Sequence, residues 1–202
     1  MNGPRPMKIV LCGPPHSGKS CLRDGLKEAI RGIAGAPYPY VITAVPDGEG
    51  SWYQETAGAN PDLAAEIKRA NKTEFTDAQA DKFEVWVNRC EEPLVFIDIG
   101  GIADDKNIQI CKGATHAILI AWNMDALEPW RTFCRQSGLE IIAELHSDYH
   151  AQCDVLVDYL GDGIFRASIH HLERGDLTIR SRPAVQALSK CIVTQLTNWS
   201  NK

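Results

Sequence analysis

Short apolar runs alternate with segments whose apolar residues recur at helical spacing along most of the chain. The apolar runs, which are rich in β-branched residues, predict six strands at 8–12, 40–45, 94–98, 117–122, 139–145 and 164–169. Apolar residues three and four apart predict helices over 21–33, 60–71, 76–90 and 183–199, and a further helix between the fourth and fifth strands. This alternation favours a three-layer α/β fold with a mainly parallel sheet.

Two of the predicted helices begin with residues that cap helices. Asn60 and Pro61 combine a cap with proline at the first helical position, and Thr76 with Gln79 fits a capping box. In the helix after Thr76, the spacing predicts one apolar face made of Phe83, Trp86, Val87 and Cys90.

The composition narrows the class of protein. The 202 residues suffice for one well-cored domain, so we expect a single domain over 1–202. Hydrophobic residues at 44% and charged residues at 23% are typical of globular proteins, and a net charge of −5 argues against a general binder of nucleic acid or anionic membranes. The seven cysteines form no C-x-x-C pair, and no apolar stretch approaches the ~18 residues of a membrane span. We therefore expect a cytoplasmic protein with reduced thiols and no membrane partner.

A glycine-rich segment joins the first predicted strand to the first predicted helix. Gly13, Gly18, Lys19 and Ser20 satisfy the pattern G-x-x-x-x-G-K-[ST] between a buried strand and an amphipathic helix. The glycines let successive backbone N–H groups point at phosphate oxygens, with the positive end of the helix behind them. Lys19 would reach the β- and γ-phosphates, and the Ser20 hydroxyl would hold Mg²⁺. The alternative is a turn that matches the pattern by chance.

This segment resembles the phosphate-binding loop of P-loop NTPases, and residues 13–20 are called the P-loop below. The resemblance implies a P-loop NTPase domain whose ligands are a nucleoside triphosphate and Mg²⁺. The residues expected to contact the nucleotide are those of the loop and its next neighbour, namely Gly13, Pro14, Pro15, His16, Ser17, Gly18, Lys19, Ser20 and Cys21.

A carboxylate ends the third predicted strand. Leu94–Asp98 is a continuous apolar run typical of a central strand, and beside a P-loop the carboxylate of Asp98 can bind Mg²⁺ directly or through water. Asp98 and Gly101 also fit the D-x-x-G pattern of many GTPase-like and kinase-like P-loop proteins, in which the glycine N–H approaches the γ-phosphate. Ile99 stands where AAA+ ATPases have glutamate, which argues against fast hydrolysis of that type. Alternatively, Asp98 caps the next turn.

The loop after the second predicted strand carries two further carboxylates. Residues 46–52 should face the same crevice as the P-loop, because ligands of open α/β sheets bind outside the carboxyl ends of the strands. In nucleoside kinases, a carboxylate near this point positions or deprotonates the acceptor hydroxyl, and Asp47 or Glu49 would play that part here. The alternative is that Asp47-Gly48 and Glu49-Gly50 are turn dipeptides.

Two arginines lie four residues apart on the helix predicted between the fourth and fifth strands. In P-loop kinases, lid arginines from this part of the chain neutralise charge on the transferred phosphoryl group, which makes Arg131 and Arg135 candidate catalytic residues. The alternative is a pair of solvated surface arginines. Since Asn123-Met124-Asp125 lacks the lysine and spacing of the guanine-selecting N-K-x-D motif, adenine, and hence ATP, is the default ligand.

Histidines follow the last two predicted strands. His146, His150 and Cys153 could hold a transition metal, but no second ligand cluster supports this, and polar loops at the rim of the crevice are the preferred interpretation. Residues 170–174 end a strand and are expected to contact the base or the substrate.

Three functions fit these features: a kinase that phosphorylates a small molecule or nucleotide, a nucleotide-gated regulatory or assembly ATPase, and a nucleotide-binding module with little turnover. Several stretches also resemble an AAA-like P-loop domain associated with CRISPR ring nucleases: 13–20, 38–43, 46–50, 96–101 and 170–174. That resemblance implies a role in type III CRISPR cyclic-oligoadenylate signalling, with a ring-nuclease domain as partner. Alternatively, the partner is a second copy of the chain in a homo-oligomer.

Overall fold

The computed structural model describes residues 5–45, 75–157 and 161–200, and these form one seven-stranded sheet with helices on both faces. The strands are β1 (Met7–Cys12), β2 (Tyr40–Ala44), β3 (Leu94–Ile99), β4 (His116–Ala121), β5 (Glu140–Asp148), β6 (Val155–Leu156) and β7 (Phe165–His170). The α-helices are α1 (Lys19–Arg31), α2 (Asp77–Arg89), α3 (Asp105–Ile110), α4 (Glu128–Ser137) and α5 (Pro183–Ser200).

The strand order places β1 inside the sheet, between β3 and β4. The order is β2-β3-β1-β4-β5-β7-β6, and all neighbours are parallel except β6 and β7. Leu11 near the end of β1 lies beside Asp98 in β3, so the P-loop and Asp98 leave the sheet side by side at the same edge. The predicted α/β class, with three layers and a mainly parallel sheet, is confirmed.

Two apolar clusters fill the space between the sheet and its helices. The first packs α1 and α5 against one face, through residues such as Leu22, Leu26, Leu188 and Ile192. The second packs α2, α3 and α4 against the other face, through residues such as Val87, Ile110 and Phe133. The central strands β1, β3 and β4 are buried throughout because helices cover both faces, which explains their continuous apolar runs.

Several predicted elements need correction. β5 continues to Asp148 rather than ending at Leu145, so His146 lies in a strand and not in a loop. α1 begins at Lys19, two residues before the predicted start, because the P-loop runs directly into the helix. Neither the short strand β6 nor α3 was predicted, since both are too short for periodicity to detect.

The helix after Thr76 is present, but its predicted apolar face is partly wrong. Thr76 accepts a hydrogen bond from the N–H of Gln79, whose side chain bonds back to Thr76 N–H, which completes the predicted capping box. Ala80 and Val87 are buried, whereas Trp86 is 47% exposed and stacks on Phe83. The helix predicted over 60–71 lies outside the described residues, as do residues 46–52.

Candidate functional site

The P-loop turns tightly against its neighbours at two glycines. A Cβ atom on Gly13 would collide with the carbonyl oxygen of Ile120 in β4, so only glycine fits there. Gly18 has a φ of 85°, and a Cβ atom on it would lie 2.8 Å from Cδ1 of Leu172, which follows β7. His16, at the exposed tip, also takes a left-handed conformation with φ 61°. The loop is thus shaped by close contacts from both β4 and the segment after β7.

The beginning of α1 has the features of an anion site. The residue before the helix is Gly18, which has no side chain to accept hydrogen bonds from the first amides of α1. The first turn of α1 contains no acidic residue. Inside the loop, the hydroxyl of Ser17 is buried and has no hydrogen-bond partner among the described residues. Because helix N-termini favour negative charge, the loop and the first turn of α1 can receive a phosphate.

The lysine of the P-loop is folded back onto the loop itself. Lys19 Nζ donates to the carbonyl oxygens of Gly13 at 2.8 Å and Pro14 at 3.0 Å, and the side chain is buried. These contacts hold the ammonium group over the loop, where a phosphate tail would lie. Cys21, two residues on, is a neutral thiol, because burial raises its pKa to about 11.

Asp98 joins the end of β3 to the first turns of α1. The hydroxyl of Ser20 donates to Asp98 Oδ2 at 2.9 Å, and Arg23 Nη1 lies 2.8 Å from the same oxygen. Arg23 also donates to Asp24 through Nε at 2.8 Å. The carboxylate of Asp98 is therefore held by a hydroxyl and a guanidinium from one helix.

Burial and charge act in opposite directions on Asp98. Its side chain is nearly inaccessible, and loss of solvation raises its pKa above the ordinary value. Arg23, the Ser20 hydroxyl and Lys19 all favour the charged form and limit that rise. The two cations beside Asp98 come from positions four apart on α1, which places them on one face of the helix.

The loop after β3 touches the P-loop through backbone. A Cβ atom on Gly101 would lie 2.5 Å from the nitrogen of Pro15 and 2.9 Å from its Cα. The buried Asn107 fixes this loop by two hydrogen bonds. Its Nδ2 donates to the carbonyl of Ile102 at 2.8 Å, and its backbone N–H donates to the carboxylate of Asp104. Gly101 thus lies beside the P-loop, and the approach of its N–H to a γ-phosphate stays a prediction.

The oxygen donors at this point fit Mg²⁺. Mg²⁺ prefers a few hard oxygen ligands together with phosphate oxygens and water. Here a serine hydroxyl and a carboxylate lie 2.9 Å apart at the end of the P-loop, which we also call the phosphate cradle. Ser20 and Asp98 are the residues that could hold the ion. Arg23 is a competing cation on the same carboxylate oxygen.

The fold is similar to that of proteins with solved structures. The chain superposes on a protein of Borrelia burgdorferi B31, described as a plasmid partition protein and bound to AMPPNP, with a TM-score of 0.57 and 12% sequence identity over 96% of this chain and 99% of the other. The chain has a P-loop NTPase fold. A Chloroflexus aurantiacus protein described as a kinase has a TM-score of 0.35 and 8% identity over 98% of this chain and 99% of the other, too low to bear on this fold. No family model and no curated protein matches the sequence.

Within this P-loop NTPase fold, the structure describes four of the six predicted catalytic residues. Lys19 belongs to the P-loop and Asp98 contacts its Ser20, whereas Asp47 and Glu49 lie outside the described residues. Arg131 forms ion pairs with Glu144 and Glu128 instead of standing free. Arg135 is 64% exposed and contacts Glu128 and Thr132. The lid role of the two arginines stays a prediction.

The side chain of His146, near the end of β5, is held by hydrogen bonds. His146 Nε2 lies 3.0 Å from the carbonyl oxygen of Trp122, to which it must donate, and Nδ1 then accepts from the Ser168 hydroxyl at 3.1 Å. His150 and Cys153 are exposed. Among residues 5–45, 75–157 and 161–200, no three His, Cys, Asp or Glu side chains gather as a metal site. The transition-metal alternative for these residues receives no support from this geometry.

A polar cavity of about 540 Å³ lies between the segments that follow β5 and β7, and His170 and His171 line it together with Tyr149 and His150. His170 Nδ1 lies 2.6 Å from the carboxylate of the buried Asp154, while His171 takes a left-handed φ of 41°. The next residue, Leu172, packs against Gly18, so the chain that leaves this cavity after His171 reaches the P-loop.

Sequence reasoning missed two charged residues that shape the site. Arg23 is 2% exposed, and its position three after Ser20 on α1 was the pattern that could have revealed it. Arg182 is also buried and donates to the carbonyls of His170 and His171, which holds the segment after β7. No pattern in the sequence points to that second contact.

A search for membrane-spanning helices gave a negative result: in the part of the chain that the structure describes, none has the length and apolar character needed to cross a bilayer.

Proposed function

We propose that the chain binds Mg·ATP through Lys19, Ser20 and Asp98 and acts as a kinase-like phosphotransferase or a slow ATP hydrolase. The observation that carries the proposal is the 2.9 Å contact between Ser20 and Asp98 beside an uncapped helix N-terminus and a buried lysine. These are the parts that position and neutralise a triphosphate in P-loop enzymes.

Each residue of the cradle has a distinct task. The backbone N–H groups of residues 16–21 would surround the phosphate oxygens, since Pro14 and Pro15 have no N–H to donate, and Lys19 would exchange its carbonyl contacts for the β- and γ-phosphates. Ser20 and Asp98 would hold Mg²⁺, which when bound offsets the negative charge of the phosphates. The N–H of Gly101, which lies next to Pro15, would donate to the γ-phosphate, as the D-x-x-G pattern implies.

Slow turnover without an acceptor follows from the residue after Asp98. Ile99 is buried and cannot polarise a water molecule, and the sequence offers no glutamate at this position. Transfer to an acceptor hydroxyl would need a base from elsewhere, for which Asp47 and Glu49 are the proposed residues. The acceptor would be a small molecule or a nucleotide.

For the nucleobase of the bound nucleotide, we propose the cavity lined by His170, His171 and Tyr149. The position of Leu172, which follows His171 and packs against Gly18, supports this, because a nucleoside attached to phosphates in the P-loop would extend away from the loop toward neighbouring segments. Adenine is the preferred base, since the guanine-selecting motif is absent from the sequence.

The second candidate is a nucleotide-gated regulatory or assembly ATPase, or a binding module with little turnover. The backbone contact between Gly101 and Pro15 favours it, because a γ-phosphate in the P-loop would bear directly on the segment after β3. The role in type III CRISPR signalling, with a ring-nuclease partner or a second copy of the chain, rests on the sequence resemblance and stays a prediction.

Calorimetry with Mg·ATP and Mg·GTP tests the proposal. Wild-type protein is expected to bind, and Lys19→Ala to bind ~10- to 100-fold more weakly, because a charge-assisted contact to phosphate contributes about 1.5–3 kcal/mol. Lys27→Ala is the matched control, as Lys27 lies on the same helix and rests over Tyr38. The proposal is wrong if the folded wild type binds neither nucleotide, or if Lys19→Ala binds as the wild type does.

A further inference from the structure

Arg23 makes an ion pair where a P-loop site would hold its metal. Its Nη1 lies 2.8 Å from Asp98 Oδ2, and the side-chain exposures of the two residues are 3% and 4%. Ser20 donates to the same oxygen, so the carboxylate expected to serve Mg²⁺ already faces a fixed internal cation. In a buried site, such a pair is not screened by solvent or salt.

The position of Arg23 is set by two further contacts. Its Nε and Nη2 both lie 2.8 Å from Asp24 Oδ1, and the Asp24 side chain is 41% exposed. The planar guanidinium therefore spans a buried and a half-exposed carboxylate, which a lysine could not do with the same geometry. The side chain stays anchored through Asp24 whatever else Asp98 contacts.

We propose that Arg23 sets the metal requirement of nucleotide binding by neutralising Asp98 when no divalent metal is present. This inference rests on the proposed function. Without Arg23, a bare carboxylate beside the cradle would repel the triphosphate unless Mg²⁺ came with it. With Arg23, the triphosphate meets a neutral pair, so nucleotide binds in the absence of metal, and Asp98 is shared between Arg23 and any Mg²⁺ that arrives.

A neutralising role of Arg23 predicts a change in the ratio of two ATP affinities, one measured with Mg²⁺ and one without. A structural role predicts no change in this ratio. A merely structural Arg23 would, on removal, weaken binding to the same extent with and without metal. A neutralising Arg23 would, on removal, weaken binding chiefly without metal, since Mg²⁺ can take over the neutralisation of Asp98. The dependence of nucleotide affinity on Mg²⁺ is a coupling between two ligands, and such couplings are typically about 5- to 150-fold.

The experiment measures the dissociation constant of ATP with excess Mg²⁺ and with EDTA for wild type, Arg23→Met and Arg31→Gln. Arg31→Gln is the matched control, because Arg31 lies on the same helix in an exposed pair with Glu28. We expect the ratio of the EDTA constant to the Mg²⁺ constant to rise at least ~5-fold in Arg23→Met and to stay unchanged in Arg31→Gln. An unchanged ratio in a folded Arg23→Met protein overturns the inference.

A second variant covers the case in which Arg23→Met does not fold. Asp98→Asn leaves Arg23 without its carboxylate partner, so we expect it to bind ATP more tightly than wild type in EDTA. Equal or weaker binding in EDTA contradicts the inference. If the wild type binds ATP under neither condition, the proposed function fails and this inference fails with it, whereas normal binding with an unaltered ratio removes the inference alone.

Discussion

Arg131 and Glu144 form a two-point ion pair: Nε of Arg131 lies 2.7 Å from Oε1 of Glu144, and Nη2 lies 3.1 Å from Oε2. Glu144 is a buried residue of β5, and Arg131 comes from α4, so the pair ties a helix to the sheet. The hydrogen bonds with Arg131 lower the pKa of Glu144, and those with Glu144 raise the pKa of Arg131. The guanidinium predicted to act in a lid thus has a structural partner.

Replacement of Arg131 by Met should lower the free energy of unfolding by about 1–3 kcal/mol, because it leaves a buried carboxylate with only the longer 3.4 Å contact to Arg166. Arg135→Met is the matched control. Since Arg135 is 64% exposed, we expect a change within ~0.5 kcal/mol. Urea denaturation measures both values. Loss of ATP turnover in both variants, with stability intact, would instead support the lid role.

The same ion pair predicts a dependence of stability on pH. The pKa of Glu144 is lower in the folded protein, so its stabilising contribution is present above the ordinary glutamate pKa of about 4.3 and is lost as the pH falls through the lower folded value. Glu144→Gln should therefore be less stable than wild type at neutral pH, and the difference should shrink in acid.

Urea titrations at neutral pH and near pH 3 measure this difference. Glu140→Gln, on the same strand but 72% exposed, should match the wild type at both values. A stability gap for Glu144→Gln that is the same at both pH values would contradict the ion-pair explanation.

Adjacent glycines after β3 should respond very differently to alanine. A Cβ atom on Gly101 meets Pro15 at 2.5–2.9 Å, which forces the P-loop or the β3 loop to move, at a cost of about 1–3 kcal/mol. A Cβ atom on Gly100 meets Asn107 Nδ2 at 3.6 Å, an ordinary contact. We expect ATP affinity to fall in Gly101→Ala and to stay near wild type in Gly100→Ala. Equal affinities in the two variants would show that the contact with Pro15 does not matter.

The kinase hypothesis predicts a stimulated ATPase. ATP consumption should rise sharply with one compound from a panel of nucleosides and metabolites, and Asp47→Asn or Glu49→Gln should abolish that rise while ATP binding persists. Release of ADP and calorimetry measure the two properties. A panel without any stimulating compound, together with slow hydrolysis that neither change affects, would favour the regulatory ATPase.

The sequence predicted the parts of the fold that depend on local periodicity. β1, β3 and β4 are continuous apolar runs because both faces of the sheet are covered, and Thr76 with Gln79 forms the predicted capping box. Trp86 was misplaced because helical spacing does not distinguish a buried ring from one that stacks on Phe83 at the surface. β5 was ended too early because the polar residues His146 to Asp148 continue the strand.

The residues of the candidate site that belong to a short sequence motif could be predicted. Lys19 and Ser20 follow directly from the glycine-rich pattern, and Asp98 from a strand that ends in a carboxylate. Arg23 was not predicted, because its partner lies 75 residues away in the chain and only the pairing of β1 with β3 brings the two together. Arg131 was predicted to act in a lid because Arg135 lies four residues further on in the same helix. Its ion-pair partner, Glu144, lies on β5 and could not be identified from that spacing.

The close fit of Gly101 against Pro15 also has a mechanical consequence. Because no side chain separates the two backbones, a shift of the P-loop around a ligand would act on the loop after β3 and on the start of α3, where Asp104 caps the helix. Lys106, in α3, bonds to the carbonyl of Phe75 and pairs with Asp77, and these contacts link α3 to the beginning of α2, on the face of the sheet opposite to α1.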